Sequence, residues 1–300
     1  MLVQGALRSP PSTPSHDPSA RGKDKKKFEG TFVEMYFCPL FSGSSGNSLF
    51  CQYGNTRVLI DAGKPGKQIE DALNKIGVDP ETISGILITH EHSDHISGVG
   101  VLARRYQIPL YATAGTWEGM QKKIGKIPGD LRREIMGGRD FYLGDMGVVP
   151  FTIPHDAAEP VGFRLYGGKL SVSTATDLGH FAEDVYEEIA GSSLILLESN
   201  HDPEMLKVNP HYSAMLKHRI LSDFGHLSNE ACSQALLRLI SAGTGTILLG
   251  HLSAENNTPE RAMEVNGGVL ERDGIRVGVD VDVTVAKRDE PGDVYCIKEK

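Results

Sequence analysis

Four residues able to hold a cation fall within six consecutive positions of the stretch ILITHEHSDHISG: His90, His92, Asp94 and His95. Neutral imidazole is the commonest protein metal ligand, and an ionised aspartate adds a hard oxygen. The i, i+2 spacing lets His90 and His92 reach one ion from a non-helical loop, while Asp94 and His95 turn toward a second. A lone histidine after a strand is normally a packed core residue; a cluster this dense has no comparable structural use. Elsewhere the tetrapeptide Gly-His-Leu-Ser occurs twice, at 225–228 and 250–253. Each copy puts a histidine, His226 or His251, just ahead of a run with helix-start chemistry.

The elements that must position these groups read as an α/β alternation. MYFCPLF and SLFCQY are β-rich runs, and Gly54-Asn55 inside QYGNTRVLID is a hairpin signal. GKQIEDALNKIG carries apolar residues at 69, 72, 73 and 76, one face of a helix that stops at Gly77. GILIT is a short buried strand, followed by a helix-like stretch to Tyr106, the strand PLYAT and a helix around Trp117. Residues 125–147 read as irregular. In the second half VVPFTI, VGFRLY, KLSVSTAT, LILLES and TILLG read as strands, helices fall at 181–190, 211–221 and 229–241, and IRVGVDVDVTVAK is a final strand. Two halves of this kind predict a four-layer αββα sandwich, one domain over 35–300.

Residues 1–34 contrast with that body. They are rich in Pro, Ser and Lys and read as a disordered, solvated basic tail, with Met35 a candidate start. The tail holds six Lys/Arg against four Asp/Glu, so the −8 net charge leaves −10 on the body. An acidic body argues against broad electrostatic adhesion to nucleic acid, although a local site built on metal ions escapes that argument. No run approaches the ~20 apolar residues that span a bilayer, and no apolar leader opens the chain. Cys38, Cys51, Cys232 and Cys296 form no CxxC pair and read as reduced thiols of a cytoplasmic protein.

HxHxDH after a buried strand resembles the signature of the metallo-β-lactamase-fold hydrolases, whose fold is the four-layer sandwich. The resemblance implies further ligands: His155 in FTIPHDA, Asp177 in SVSTATDLG, which is otherwise a helix N-cap, and His251 after TILLG. It assigns His90, His92 and His155 to one metal and Asp94, His95 and His251 to the other. Asp177 and a water or hydroxide stand between, the water acidified to a pKa of about 7 by the two dications. Asp94 would orient the nucleophile or take its proton. Asp61, ending VLID, matches an aspartate that fixes the metal loop or a histidine tautomer. Two Zn²⁺ or Mn²⁺ ions suit this N/O set.

Within that superfamily the chain is similar to the YycJ/WalJ-like bacterial nucleases. The matching stretches are SGSSGNS, THEHSDHISG, PHDAAEPVGF, TATDLGH, ESNHD, FGHLSNEA and GHLSAENNTPE, spanning nearly the whole body. The resemblance implies a 5′→3′ DNA exonuclease linked to mismatch repair, acting on DNA without a membrane partner. SGSSGNS, with Ser44 and Asn47, suits an anion or a tight hairpin loop equally. Ser228 caps the helix after His226, and helix N-termini attract phosphate. Arg219 is a candidate cation, and Asn200 and His201 are expected at the rim. His226 is assigned to the substrate phosphate or leaving oxygen, His180 to packing or capping. The competing expectation is a small-molecule metallohydrolase, either a cyclic-nucleotide phosphodiesterase or a glyoxalase-II-like thioesterase. The thioesterase is disfavoured because only 49 residues follow His251.

Overall fold

The computed structural model describes residues 34–299. The expected tail therefore lies outside the described residues, except Glu34, which opens the first strand. In chain order the strands are β1 (Glu34–Phe41), β2 (Ser48–Tyr53), β3 (Thr56–Ile60), β4 (Gly85–Leu87), β5 (Leu110–Ala112), β6 (Arg132–Glu134) and β7 (Phe141–Leu143). Then come β8 (Met146–Thr152), β9 (Val161–Gly167), β10 (Leu170–Ala175), β11 (Leu194–Glu198), β12 (Thr246–Gly250), β13 (Asp282–Val285) and β14 (Tyr295–Lys298). Helices are α1 (Gly66–Lys75), α2 (Ser93–Ile96), α3 (Val99–Tyr106), α4 (Ala114–Met120), α5 (Glu183–Ile189), α6 (Pro203–Val208), α7 (Ala214–Ile220), α8 (Asn229–Ser241) and α9 (Pro259–Arg272).

Two sheets result, ordered β14-β1-β2-β3-β4-β5-β6 and β13-β12-β11-β10-β9-β8-β7. Side-chain alternation sorts their residues into layers. Met35, Phe37, Cys51, Val58 and Ile60 of the first sheet meet Phe163, Val172, Leu194, Leu196 and Leu248 of the second. The opposite parity of the first sheet (Leu40, Phe50, Leu59, Ile86) packs on Ile69 and Leu73 of α1, Leu102 of α3 and Trp117 of α4. That of the second sheet (Ile195, Leu197, Ile247, Leu249) packs on Val185 of α5, Leu236 of α8 and Leu270 of α9. Central strands are apolar on both faces, which is why they read as unbroken hydrophobic runs. The layers are helix, sheet, sheet, helix, the predicted αββα sandwich.

The same parity separates Cys38 from Cys51. They sit on paired strands, yet Cys38 faces the α1–α4 layer and Cys51 the inter-sheet core, and all four cysteines are free. Among the described residues no helix is long and apolar enough to cross a membrane.

Some elements differ from expectation. Residues 125–147 hold two three-residue strands, β6 and β7, which gain order by pairing at sheet edges. The proposed final strand shrinks to Asp282–Val285, because Gly274 and Gly278 take φ of +82° and +81° and turn the chain before it. Helices α6 and α9 and strand β14 were not anticipated. Gly267-Gly268 interrupts the apolar period of α9. Strand β14 owes its place to pairing with β1, over 250 residues away, at Met35↔Ile297.

In both sheets antiparallel strands give way to parallel ones: β3, β4, β5 and β6 in the first, β10, β11, β12 and β13 in the second. Parallel strands end at one edge, the usual position of a site in such sheets. A crossing of loops closes that edge: Asn47 N–H donates to the Asp94 carbonyl (2.8 Å) and Gly63 N–H to the Asn47 carbonyl (2.7 Å). A β-carbon on Gly63 would stand 1.6 Å from the Asp94 oxygen. Gly63→Ala must therefore push the Asp94 loop away. It is expected to cost about 3 kcal/mol or more of stability, read from urea unfolding, together with loss of metal binding; a wild-type midpoint would contradict this.

Candidate metal centre

Each polar group at this edge is set by a strand end. Asp61 follows β3, His90 follows β4, Asp177 follows β10, Glu198 ends β11 and His251 follows β12. Asp61, Asp177 and His251 take left-handed backbone angles (φ 60°, 61° and 54°), which are costly for residues with a β-carbon. The turn aims their side chains back across the strand ends. His92 and His95 flank and close the one-turn helix α2, which has Asp94 in its first turn.

Donor atoms converge in groups. His90, His92 and His155 form one, with His90 Nε2 and His92 Nδ1 3.1 Å apart and His155 Nε2 3.3 Å from His92 Nδ1. Asp94, His95 and His251 form another, His95 Nε2 lying 3.7 Å and His251 Nε2 3.9 Å from Asp94 Oδ2. Asp177 stands between them: Oδ2 is 3.4 Å from His95 Nε2 and Oδ1 is 3.7 Å from His155 Nε2. These are the seven residues expected as ligands. Two buried atoms, Asp177 Oδ2 and His251 Nε2, have no hydrogen-bond partner. A buried carboxylate oxygen left unpaired costs several kcal/mol, and a cation seated among these donors removes that cost. The donor set therefore fits divalent metal.

Behind the donors stand carboxylates. Asp61 Oδ1 accepts from Thr89 N–H (2.8 Å), and Oδ2 accepts from Thr89 Oγ1 (2.7 Å) and from His95 Nδ1 (2.7 Å). That leaves His95 Nε2 toward the cleft. Glu198 was missed by sequence reasoning. It is fully buried; Oε1 accepts from His226 Nδ1 (2.9 Å) and His251 Nδ1 (2.7 Å), and Oε2 from the N–H groups of Leu178 (2.7 Å) and Leu227 (3.0 Å). Its signal was present: an acidic residue closing an apolar strand, as Asp61 closes VLID.

Protonation splits the site. Burial, reinforced by neighbouring imidazoles, holds His90 well below its ordinary value and lowers His92, so both present lone pairs at neutral pH. Burial also works against charge on His95, but Asp177 and Asp61 outweigh it and hold that group at about 9. His251 is raised in the same way, chiefly by Asp177, and His226 by Glu198. Burial opposes ionisation of Glu198, yet His226 and His251 keep it well below the usual carboxylate range.

The remaining candidates separate by position. Ser44 and Arg219 line the cleft with His226, and Arg219 is paired with Asp156, its Nη2 donating to Oδ1 at 3.0 Å. Lys123 also lines the cleft and was not anticipated. Asn200 is buried, and its Nδ2 donates to the His251 carbonyl (2.8 Å). Two expectations of substrate contact give way. Asn47 is buried behind the donors, its Nδ2 3.1 Å from His95 Nε2 and its Oδ1 accepting from Gly43 N–H. His201 is 1% exposed, and burial lowers it to about 4, so it neither reaches the rim nor carries charge. Ser228 caps α8 by accepting from Ala231 N–H (3.2 Å). His180 Nδ1 lies 3.0 Å from the Asp223 carbonyl at the surface.

This arrangement has known relatives. A family model described as Beta-lactamase superfamily domain matches residues 56–251. The chain belongs to this superfamily. It is 40% identical over 244 residues to exodeoxyribonuclease YycJ of Bacillus anthracis, covering 81% of this chain and 92% of that protein. It is 41% identical over 246 residues to exodeoxyribonuclease WalJ of Streptococcus pneumoniae, covering 81% and 91%. Among solved structures, the metallo-β-lactamase fold protein YhfI of Bacillus subtilis superposes with a TM-score of 0.65 at 17% identity, over 87% of this chain and 99% of that one, a likeness of fold.

The raised histidines make metal uptake a proton exchange. A folded value of about 9 for His95 against ~6.5 unfolded contributes stability below pH ~6.5, lost as pH rises through about 9. A cation must displace the protons of these histidines, so affinity is expected to climb as pH rises through about 9. Calorimetry at pH 7 in buffers of different ionisation enthalpy should register proton release; zero release would contradict the assignment. Glu198→Gln removes the acceptor that sets both Nδ1 atoms and should weaken metal binding by about 10–100-fold, read by chelator competition.

Proposed function

We propose that the protein is a dinuclear metal-dependent DNA exonuclease of the cytoplasm, its hydrolase body a single domain over 35–300. The observation that carries this reading is the likeness, over 92% of its length, to a protein described as an exodeoxyribonuclease, in a chain whose seven donors converge. Lys123 at the cleft gives an acidic protein a local cation for a phosphodiester, and Arg219 lines the same cleft paired with Asp156. The 5′→3′ polarity and a role in mismatch repair are proposed on the motif resemblance to the YycJ/WalJ-like nucleases alone.

His90, His92 and His155 would hold one cation, and Asp94, His95 and His251 the other, with Asp177 shared. Zn²⁺ and Mn²⁺ both suit these donors. Bound there, the cations supply Lewis acidity toward the phosphoryl oxygens and make water a nucleophile at neutral pH. Asp94, whose carboxyl is held well below its ordinary range despite burial, would remain ionised and orient a water as a hydrogen-bond acceptor. His226 is fixed through Nδ1 by Glu198, so Nε2 is the atom that donates to the substrate phosphate or the leaving oxygen. Against burial, the Glu198 carboxylate raises His226 above its ordinary value, which favours the protonated form that this role needs.

Purified protein with Mn²⁺ or Zn²⁺ should degrade end-labelled duplex DNA, and chelation should stop it. Robust cyclic-nucleotide or thioester turnover without DNA cleavage would overturn the substrate class. Asp177→Ala should abolish cleavage and weaken metal loading. His226→Ala should retain both metals and lose turnover by about 10²-fold or more, whereas His251→Ala should lose metal. Metal analysis that finds an ion missing from His226→Ala would reverse those two roles.

A further inference from the structure

Beside the donor cleft lies a second cavity of about 160 Å³, sharing Ser44, Arg219 and His226 with it. Its outer wall is apolar. Tyr212 and Leu216 flank it half-buried, belong to none of the core clusters among the described residues, and are joined by Ile220. The deeper side is polar, lined by buried Asn200 and Ser253. Asn200 spends Nδ2 on the His251 carbonyl, which leaves Oδ1 as an acceptor. Ser253 Oγ accepts from Asn256 N–H (3.2 Å) and Nδ2 (3.3 Å), which leaves its hydroxyl proton as a donor. Asp156 also reaches this wall, neutralised by Arg219.

An aromatic ring, an aliphatic flank, one acceptor and one donor, all adjoining a phosphate-cleaving centre, suit a single nucleobase. We infer that this cavity receives the base of the terminal nucleotide while the phosphate on its inner side lies in the cleft. The inference rests on the nuclease reading and deepens it. A base inside a duplex must unstack and swing out to enter such a pocket, whereas a base at a strand end does so at least cost. The pocket thus selects chain ends, and Tyr212 is its specificity-determining residue.

The test compares metal-loaded wild type and Tyr212→Ala on DNA that ends in a normal nucleotide or in an abasic tetrahydrofuran residue. Wild type should cleave the abasic end about tenfold more slowly, on the scale of one lost base–aromatic contact. Tyr212→Ala should slow cleavage of the normal end by a similar factor, and the two proteins should converge within about twofold on the abasic end. In parallel, saturation-transfer NMR on the Zn²⁺-loaded protein should saturate the base protons of deoxyadenosine 5′-monophosphate, and lose that signal in Tyr212→Ala and in Leu216→Ala. Equal wild-type rates on both ends, or unsaturated base protons, would overturn the pocket and leave the nuclease reading standing. No DNA cleavage at all would overturn that reading and this inference with it.

Discussion

Glu198 and Asp177 are carboxylates buried side by side with three histidines, and the rest of the site follows from that burial. Taking a carboxylate out of water is tolerated only where charge and hydrogen bonds replace the solvent. Glu198 achieves this within the protein, since two backbone N–H groups and two imidazoles fill its acceptor sites. Asp177 does not, because Oδ2 is left bare among imidazole nitrogens. One carboxylate is therefore structural and orients histidines, while the other presents an uncompensated charge that a cation answers.

Holding such groups within bonding distance requires rigid supports. Strand ends provide them, because two packed sheets fix β3, β4, β10, β11 and β12 along one edge. The left-handed turns at Asp61, Asp177 and His251 are the local cost of folding each side chain back over its strand, and the apolar layers on both faces hold them there. The Asn47–Gly63–Asp94 contacts tie the metal loop to the first hairpin. The half-exposed Tyr212 and Leu216 carry none of this framework, which leaves that wall of the cavity free for a ligand.

Much of this was legible from local pattern. The alternating and continuous apolar runs located the central strands, Gly54-Asn55 located the hairpin, and HEHSDH announced the donors. What escaped had a weak local signature or none. Strand β14 is a strand only because β1 offers an edge, and α9 hides its apolar face behind two glycines. Glu198 looked like a strand-end residue, and nothing near it in sequence reveals that its partners lie 28 and 53 positions away. Asn47 and His201 carry groups suited to a substrate, yet packing turned both inward.

The resemblance supplied His155, Asp177 and His251 as candidates, whereas the sequence by itself determined the cluster of His90, His92, Asp94 and His95 after its buried strand and the periodicities that demand two sheets covered by helices. Those depend on neighbours within one element, which a linear chain displays. Only the tertiary structure shows how the two Gly-His-Leu-Ser copies, expected to do different work, are held. Both histidines give Nδ1 to the same Glu198 oxygen. Yet His251 emerges in a left-handed turn with its Nε2 buried beside Asp94, while His226 lies at the open side of the cleft. An identical tetrapeptide fixes the same local chemistry; the atom that each free nitrogen meets is set by strands brought together across the fold.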